Sequence, residues 1–155
     1  MDVQVFSFNL TDNLLSLHYD LATHKYKHGD YQAFKISDPK PRIIHKASVC
    51  DRLLHRAVYR ILCPFFDRIF IADSFSCRND KGTHRAINRL REFSHLVSQN
   101  NTKTCWILKC DIKRFFASID QDILVDILRK HIGGESILNL LKEIIFSFKP
   151  NGLPL

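Results

Sequence analysis

One run, Thr104-Cys105-Trp106-Ile107-Leu108-Lys109-Cys110-Asp111, is apolar almost throughout and closes on a carboxylate. Its length suits a buried strand better than a helix. Helical periodicity lies on both sides of it, so the chain is expected to fold as α/β. Hydrophobic residues make up 45% of the 155 and charged residues 25%. That balance supports a packed core and excludes disorder.

Upstream, Tyr31–Ser37 alternates loosely, and Arg42–His45 reads as a returning strand. Between them Asp38-Pro39-Lys40-Pro41 is a turn, because Pro39 fixes its own φ and Asp38 can hydrogen-bond locally. A β-hairpin follows, with Lys40 and Arg42 near its tip. Asp51 is a plausible N-cap for a helix to about Leu62, with Arg52, Arg56 and Arg60 on its polar side. Pro64 is expected to interrupt it. After a loop, Thr83 is expected to cap a second helix whose apolar stripe is Ala86, Ile87, Leu90, Phe93 and Val97. Ile119 and Leu124 bracket Asp120 as a hydrophobic staple around an N-cap, opening a helix to about His131. Gly133-Gly134 separates it from a last helix over about Ser136–Phe148. Pro150-Asn151-Gly152 is a turn, and a modest helix is possible around Asn13–Leu21.

Charge is uneven. Residues 31–114 hold seventeen Lys and Arg against seven acids, and the stretches on either side are slightly acidic. The whole surplus of +7 therefore sits in the middle, which favours a binding surface for a polyanion. The five cysteines form no C-x2-C pair, so zinc is not expected. Most read as small buried hydrophobes in a reducing, cytoplasmic setting. Asp2 stands where a signal peptide carries positive charge, and no apolar stretch is long enough for a membrane span.

The segment with most chemistry is Asp111-Ile112-Lys113-Arg114-Phe115-Phe116-Ala117-Ser118-Ile119-Asp120. Phosphoryl transfer needs divalent cations to clamp the attacking and leaving oxygens, and Mg²⁺ takes carboxylate oxygens, so Asp111 is a reasonable ligand. Phe116 could then lie beneath a sugar and exclude a 2′-hydroxyl by contact. On local pattern alone, the alternative of a strand-ending aspartate with two core phenylalanines stands beside this. Asp120 is not counted as a ligand, because it is the N-cap.

Four blocks in order resemble prokaryotic reverse transcriptases. YQAFKISDPKPRIIHKASVCDRLLHRAVYRILCPFFDRIF is similar to the family's fingers hairpin and following helix. IADSFSCRNDKGTHRAINRL is similar to its template-facing loop and helix. WILKCDIKRFFASIDQDIL is similar to motif A, and Gly152-Leu153-Pro154-Leu155 to the opening of motif B. The wording F-x-I-x-DPKPR, DRLLHRA and KGTHRA most resembles enzymes of diversity-generating retroelements.

The resemblance implies a right-hand polymerase fold: an N-terminal extension over 1–30, fingers over 31–100, and the start of a palm over 101–155 that stops at motif B. It implies RNA-directed DNA synthesis with Mg²⁺, an RNA template, a DNA or RNA primer and deoxynucleoside triphosphates. A small basic accessory protein is a further possible partner. By position, Asp111 matches the first metal-binding carboxylate, and the carbonyl of Ile112 would face the metals. Phe116 matches the sugar gate. Lys40 and Arg42 match the cations around the incoming triphosphate, and a guanidinium suits phosphate oxygens in particular. Arg78, Lys81 and Gly82 match a template-phosphate loop, although a flexible basic loop is equally consistent with them.

The later aspartate pair is absent up to Leu155, so the 155-residue chain alone is expected to be inactive. Its apolar last helices are expected to expose hydrophobic surface. The rival expectations are a non-catalytic RNA-binding remnant and a defence-associated reverse transcriptase.

Overall fold

The computed structural model describes residues 2–149 and shows a mixed α/β chain. Helices α1 (Asp2–Phe8) and α2 (Leu10–Ala22) precede strands β1 (Gln32–Ile36) and β2 (Arg42–Lys46). Then come α3 (Val49–Asp67), α4 (Thr83–Val97), α5 (Phe115–Ser118), α6 (Gln121–Arg129) and α7 (Glu135–Ser147). The expected turn at Pro150-Asn151-Gly152 and the motif-B-like residues 152–155 lie outside the described residues. No helix among the described residues is long and apolar enough to cross a membrane.

The chain divides into two compact units, residues 1–57 with 113–155, and residues 58–112. The first unit holds the hairpin. β1 and β2 pair antiparallel, from Gln32 opposite Lys46 to Ile36 opposite Arg42, so the turn holds Lys40, as the alternation and the two prolines imply. α6 and α7 pack together. Val125, Leu138 and Leu141 are buried on them, as are Leu17, Tyr26, Ala47 and Leu54 elsewhere in this unit. Asp120 caps α6, its carboxylate accepting from the Ile123 amide at 3.0 Å. Gln121 then reaches across, donating to the carbonyls of Ile145 (2.9 Å) and Phe148 (2.6 Å) at the end of α7.

Four expectations about elements are corrected. Ser48, one residue before α3, takes the capping role expected of Asp51. Its hydroxyl accepts from the Asp51 amide at 3.1 Å and donates to the Asp51 carboxylate at 2.7 Å, a reciprocal pair at the helix start. Asp51 lies inside the first turn. Pro64 does not break α3. Its fixed φ is itself helical, so α3 absorbs the lost hydrogen bond and the crowding of the preceding turn and runs on to Asp67. Gly82 occupies the N-cap of α4, without a side-chain cap bond, and Thr83 is the first helical residue. Thr104–Asp111 forms no strand, because β1 and β2 are the only paired strands among the described residues and both belong to the other unit. Without a partner ladder an extended segment is not a strand, whatever its composition. The cysteines also differ from expectation. None is buried, and Cys77 and Cys110 are exposed.

Candidate functional site

In the first unit, the hairpin presents Lys40 in its turn and Arg42 as the first residue of β2, both exposed. The strand continues through Ile43, Ile44 and His45 into the wall of an apolar cleft of about 500 Å³. Phe116 of α5 lines the same cleft, with Ile119, Leu124 and the end of α7 at Ile144, Ile145 and Phe148. Phe116 remains 76% exposed, so its ring is a surface of the cleft and not core filler. The Phe148 ring, which lines the cleft, stands edge-on to His45 (5.8 Å between centroids) and to Tyr31 (5.7 Å). The structure thus brings the sugar-gate candidate together with the strand that leaves the triphosphate candidates. Arg114, just before α5, has a left-handed backbone (φ 52°). That conformation is uncommon for a residue with a side chain, and it turns the chain sharply into the two phenylalanines.

The second unit holds the other candidates. Asp111 and Ile112 sit at its end, both exposed, with the Ile112 amide donating to the Asp111 carboxylate at 3.0 Å. Among the described residues no three His, Cys, Asp or Glu side chains gather to hold a metal. One carboxylate and one carbonyl do not suffice to hold a pair of Mg²⁺ ions.

The 68–82 loop is tied down. Arg78 donates to the Asp67 carboxylate at 2.5 Å and to the carbonyls of Asp67 (2.8 Å), Ile71 (3.0 Å) and Ser74 (3.3 Å). The bond between the two side chains holds Asp67 below the usual carboxylate range and raises Arg78. Lys81 donates to the Ala72 carbonyl and sits 5.8 Å from the Phe75 ring. Arg89 of α4 pairs with Asp73 at 2.9 Å and lies 4.2 Å over Phe93. Gly82 has no left-handed backbone, and a Cβ there would meet open space. Arg78 is therefore occupied in shaping its own loop, and Lys81 and Gly82 stand at the loop's exit into α4.

One polar cluster is not anticipated by the sequence. Asp51, 3% exposed, accepts from the Tyr26 hydroxyl at 2.7 Å as well as from Ser48. Burial alone would raise its carboxyl, but the hydrogen bonds from Ser48 and Tyr26 prevail and its pKa is lowered. Burial, then the bond to Asp51, pushes the Tyr26 phenol up. His28 faces the Gly29 carbonyl with Nδ1 (2.6 Å) and the Nε2 of His55 with its own Nε2 (3.1 Å). Since Nδ1 must donate, a neutral His28 accepts at Nε2 and His55 supplies the shared proton. Burial, then the neighbouring His28, lowers the His55 pKa. These contacts fasten the segment before the hairpin to α3. Sequence offers only a weak signal for them, since the partners lie more than twenty residues apart.

No family model matches the chain. Three curated proteins are similar to it at low identity. "Nuclear intron maturase 1, mitochondrial" of Arabidopsis thaliana is 26% identical over 93 residues, 60% of this chain and 12% of that protein. "Protein YkfC" of Escherichia coli is 24% identical over 88% of this chain and 34% of its own length. A COX1/OXI3 intron 1 protein of Saccharomyces cerevisiae is 22% identical over 85% of this chain and 15% of that protein. The chain thus spans between about an eighth and a third of the length of the curated relatives it matches. Two of the three are named for introns, one of them as a maturase, and the chain is their distant relative.

Proposed function

We propose that the chain is the fingers and early palm of an RNA-directed DNA polymerase of a bacterial retroelement, in the right-hand polymerase fold. The reading draws on the intron-protein similarity and on one observation above all. The strand that begins at Arg42, next to Lys40, runs into a cleft whose other wall is Phe116. In this reading Lys40 and Arg42 embrace the triphosphate of a deoxynucleotide, and Arg42 holds its oxygens in a fork. Phe116 lies against the sugar, where a 2′-hydroxyl would collide with the ring. Asp111 and the Ile112 carbonyl would hold Mg²⁺ together with ligands beyond residues 2–149. The metal would stabilise charge on the attacking and leaving oxygens. Lys81 and Gly82 offer a cation and an open backbone to template phosphates, at the exit of the loop that Arg78 shapes.

Primer extension on an RNA template by the full gene product tests this. Asp111→Asn is expected to cut extension by about a hundredfold or more, because a lost metal ligand removes charge stabilisation. Phe116→Ala is expected to admit ribonucleotides. Full activity in Asp111→Asn would remove the polymerase assignment. A second reading, RNA binding without chemistry, is favoured by the concentration of cations in residues 31–114. It is the outcome if the gene product holds RNA but extends no primer.

A further inference from the structure

Two cations from separate elements converge on one carboxylate. Lys46, the last residue of β2, reaches Asp2 at 2.5 Å, and Arg52, in the first turns of α3, reaches the same oxygen at 2.8 Å. All three side chains are between 33% and 43% exposed, so the cluster is open to solvent. Asp51, beside Arg52 in sequence, is already engaged by Ser48 and Tyr26. Among the described residues no other carboxylate forms an ion pair with Lys46 or Arg52.

The helix that delivers Asp2 is weakly held. α1 buries no side chain, and Val5 and Phe8 are 64% and 86% exposed. Besides the two ion pairs, it is fastened to its neighbour by the Asn13 side-chain amide on the Phe6 carbonyl, at 2.9 Å. Ion pairs this exposed are individually weak and yield to a polyanion that offers the same cations a better-placed charge. A carboxylate oxygen shared by a lysine and an arginine has the chemistry of a phosphate oxygen in the same place.

We propose that Lys46 and Arg52 form a binding site for a phosphodiester of RNA, that Asp2 occupies it in the free protein, and that α1 acts as a strap which RNA displaces. This rests on the RNA-binding reading above and adds a site and a competitor to it.

The test is equilibrium binding of a single-stranded RNA oligonucleotide to the full chain at fixed salt, followed by fluorescence anisotropy. Asp2→Asn is expected to tighten binding about threefold to tenfold, the range set by releasing two exposed ion pairs. Asp12→Asn on α2 makes the same change of net charge away from the pair, and is expected to shift binding less than about twofold. In the Lys46→Gln, Arg52→Gln background, whose fold is checked by circular dichroism, Asp2→Asn is expected to give no gain. Equal effects of Asp2→Asn and Asp12→Asn would overturn the strap. So would a gain from Asp2→Asn that survives in the Lys46→Gln, Arg52→Gln background. If the wild-type chain binds RNA and Asp2→Asn changes nothing, the strap alone is lost. If neither form binds RNA, the RNA-binding reading falls with it.

Discussion

The two units of this molecule are built on different terms. Every buried apolar side chain among the described residues belongs to the first unit, whose pieces come from two distant stretches of chain. In residues 58–112, Ser98 is the one described residue that is buried. The α4 stripe shows what this means. Ile87, Leu90, Phe93 and Val97 keep the predicted spacing, yet they are 41% to 62% exposed. Periodicity says which face of a helix seeks an apolar partner, and it does not supply the partner. Trp106 (93%) and Leu108 (87%) carry the same lesson further, because here the apolar composition does not even yield the expected strand. Sequence places exposed apolar surface after residue 115, where Phe116 and Ile123 are indeed open, and the run before Asp111 is exposed as well.

The contrast can be broken most directly in the cores. Leu138, 2% exposed on α7, is expected to cost about 2–4 kcal/mol when changed to Ala, from lost burial and the cavity left behind. Leu108→Ala is expected to stay within about 0.5 kcal/mol. Urea unfolding followed by circular dichroism measures both, and comparable costs would mean that the 104–112 run is packed after all.

A smaller effect is expected from acid. Asp51 has a lowered carboxyl in the folded state, so its contribution is present above the ordinary aspartate value of 3.8 and is lost as pH falls through the folded value. Unfolding midpoints should therefore drop below about pH 4, with a smaller drop in Asp51→Asn. An identical acid profile in that variant would show that Asp51 is not the group responsible.

The finest comparison is hydrogen exchange. Amides of α6 and α7 should exchange slowest, and those of residues 104–112 at close to the rate of an unstructured peptide. Protection in the second set would restore the strand.

Local chemistry is legible in this sequence and long-range partnership is not. The hairpin, the Asp120 cap and the last two helices are readable because turn residues, a cap followed by an apolar staple, and helical spacing act within a few residues of one another. The cap of α3 falls three residues from its expected place, because Ser48 and Asp51 make a reciprocal pair in which either could stand first. Pro64 looks like a stop, although its φ suits a helix. The candidate site is legible as far as the hairpin and the phenylalanine. Their shared cleft depends on α7, and no spacing in the sequence announces that. The occupation of Arg78 by Asp67 and three carbonyls is hidden for the same reason, since a basic loop residue looks alike whether it faces solvent or its own backbone.

From the head of α6, the Gln121 amide takes two carbonyls at the far end of α7. The backbone's course through Phe148 is thus steered by a residue more than twenty places earlier. The ring of Phe148, part of the cleft wall, inherits its station from that tether. Gln121 and Leu124 of the same helix also line that cleft, so α6 both walls the hollow and anchors the backbone on its α7 side.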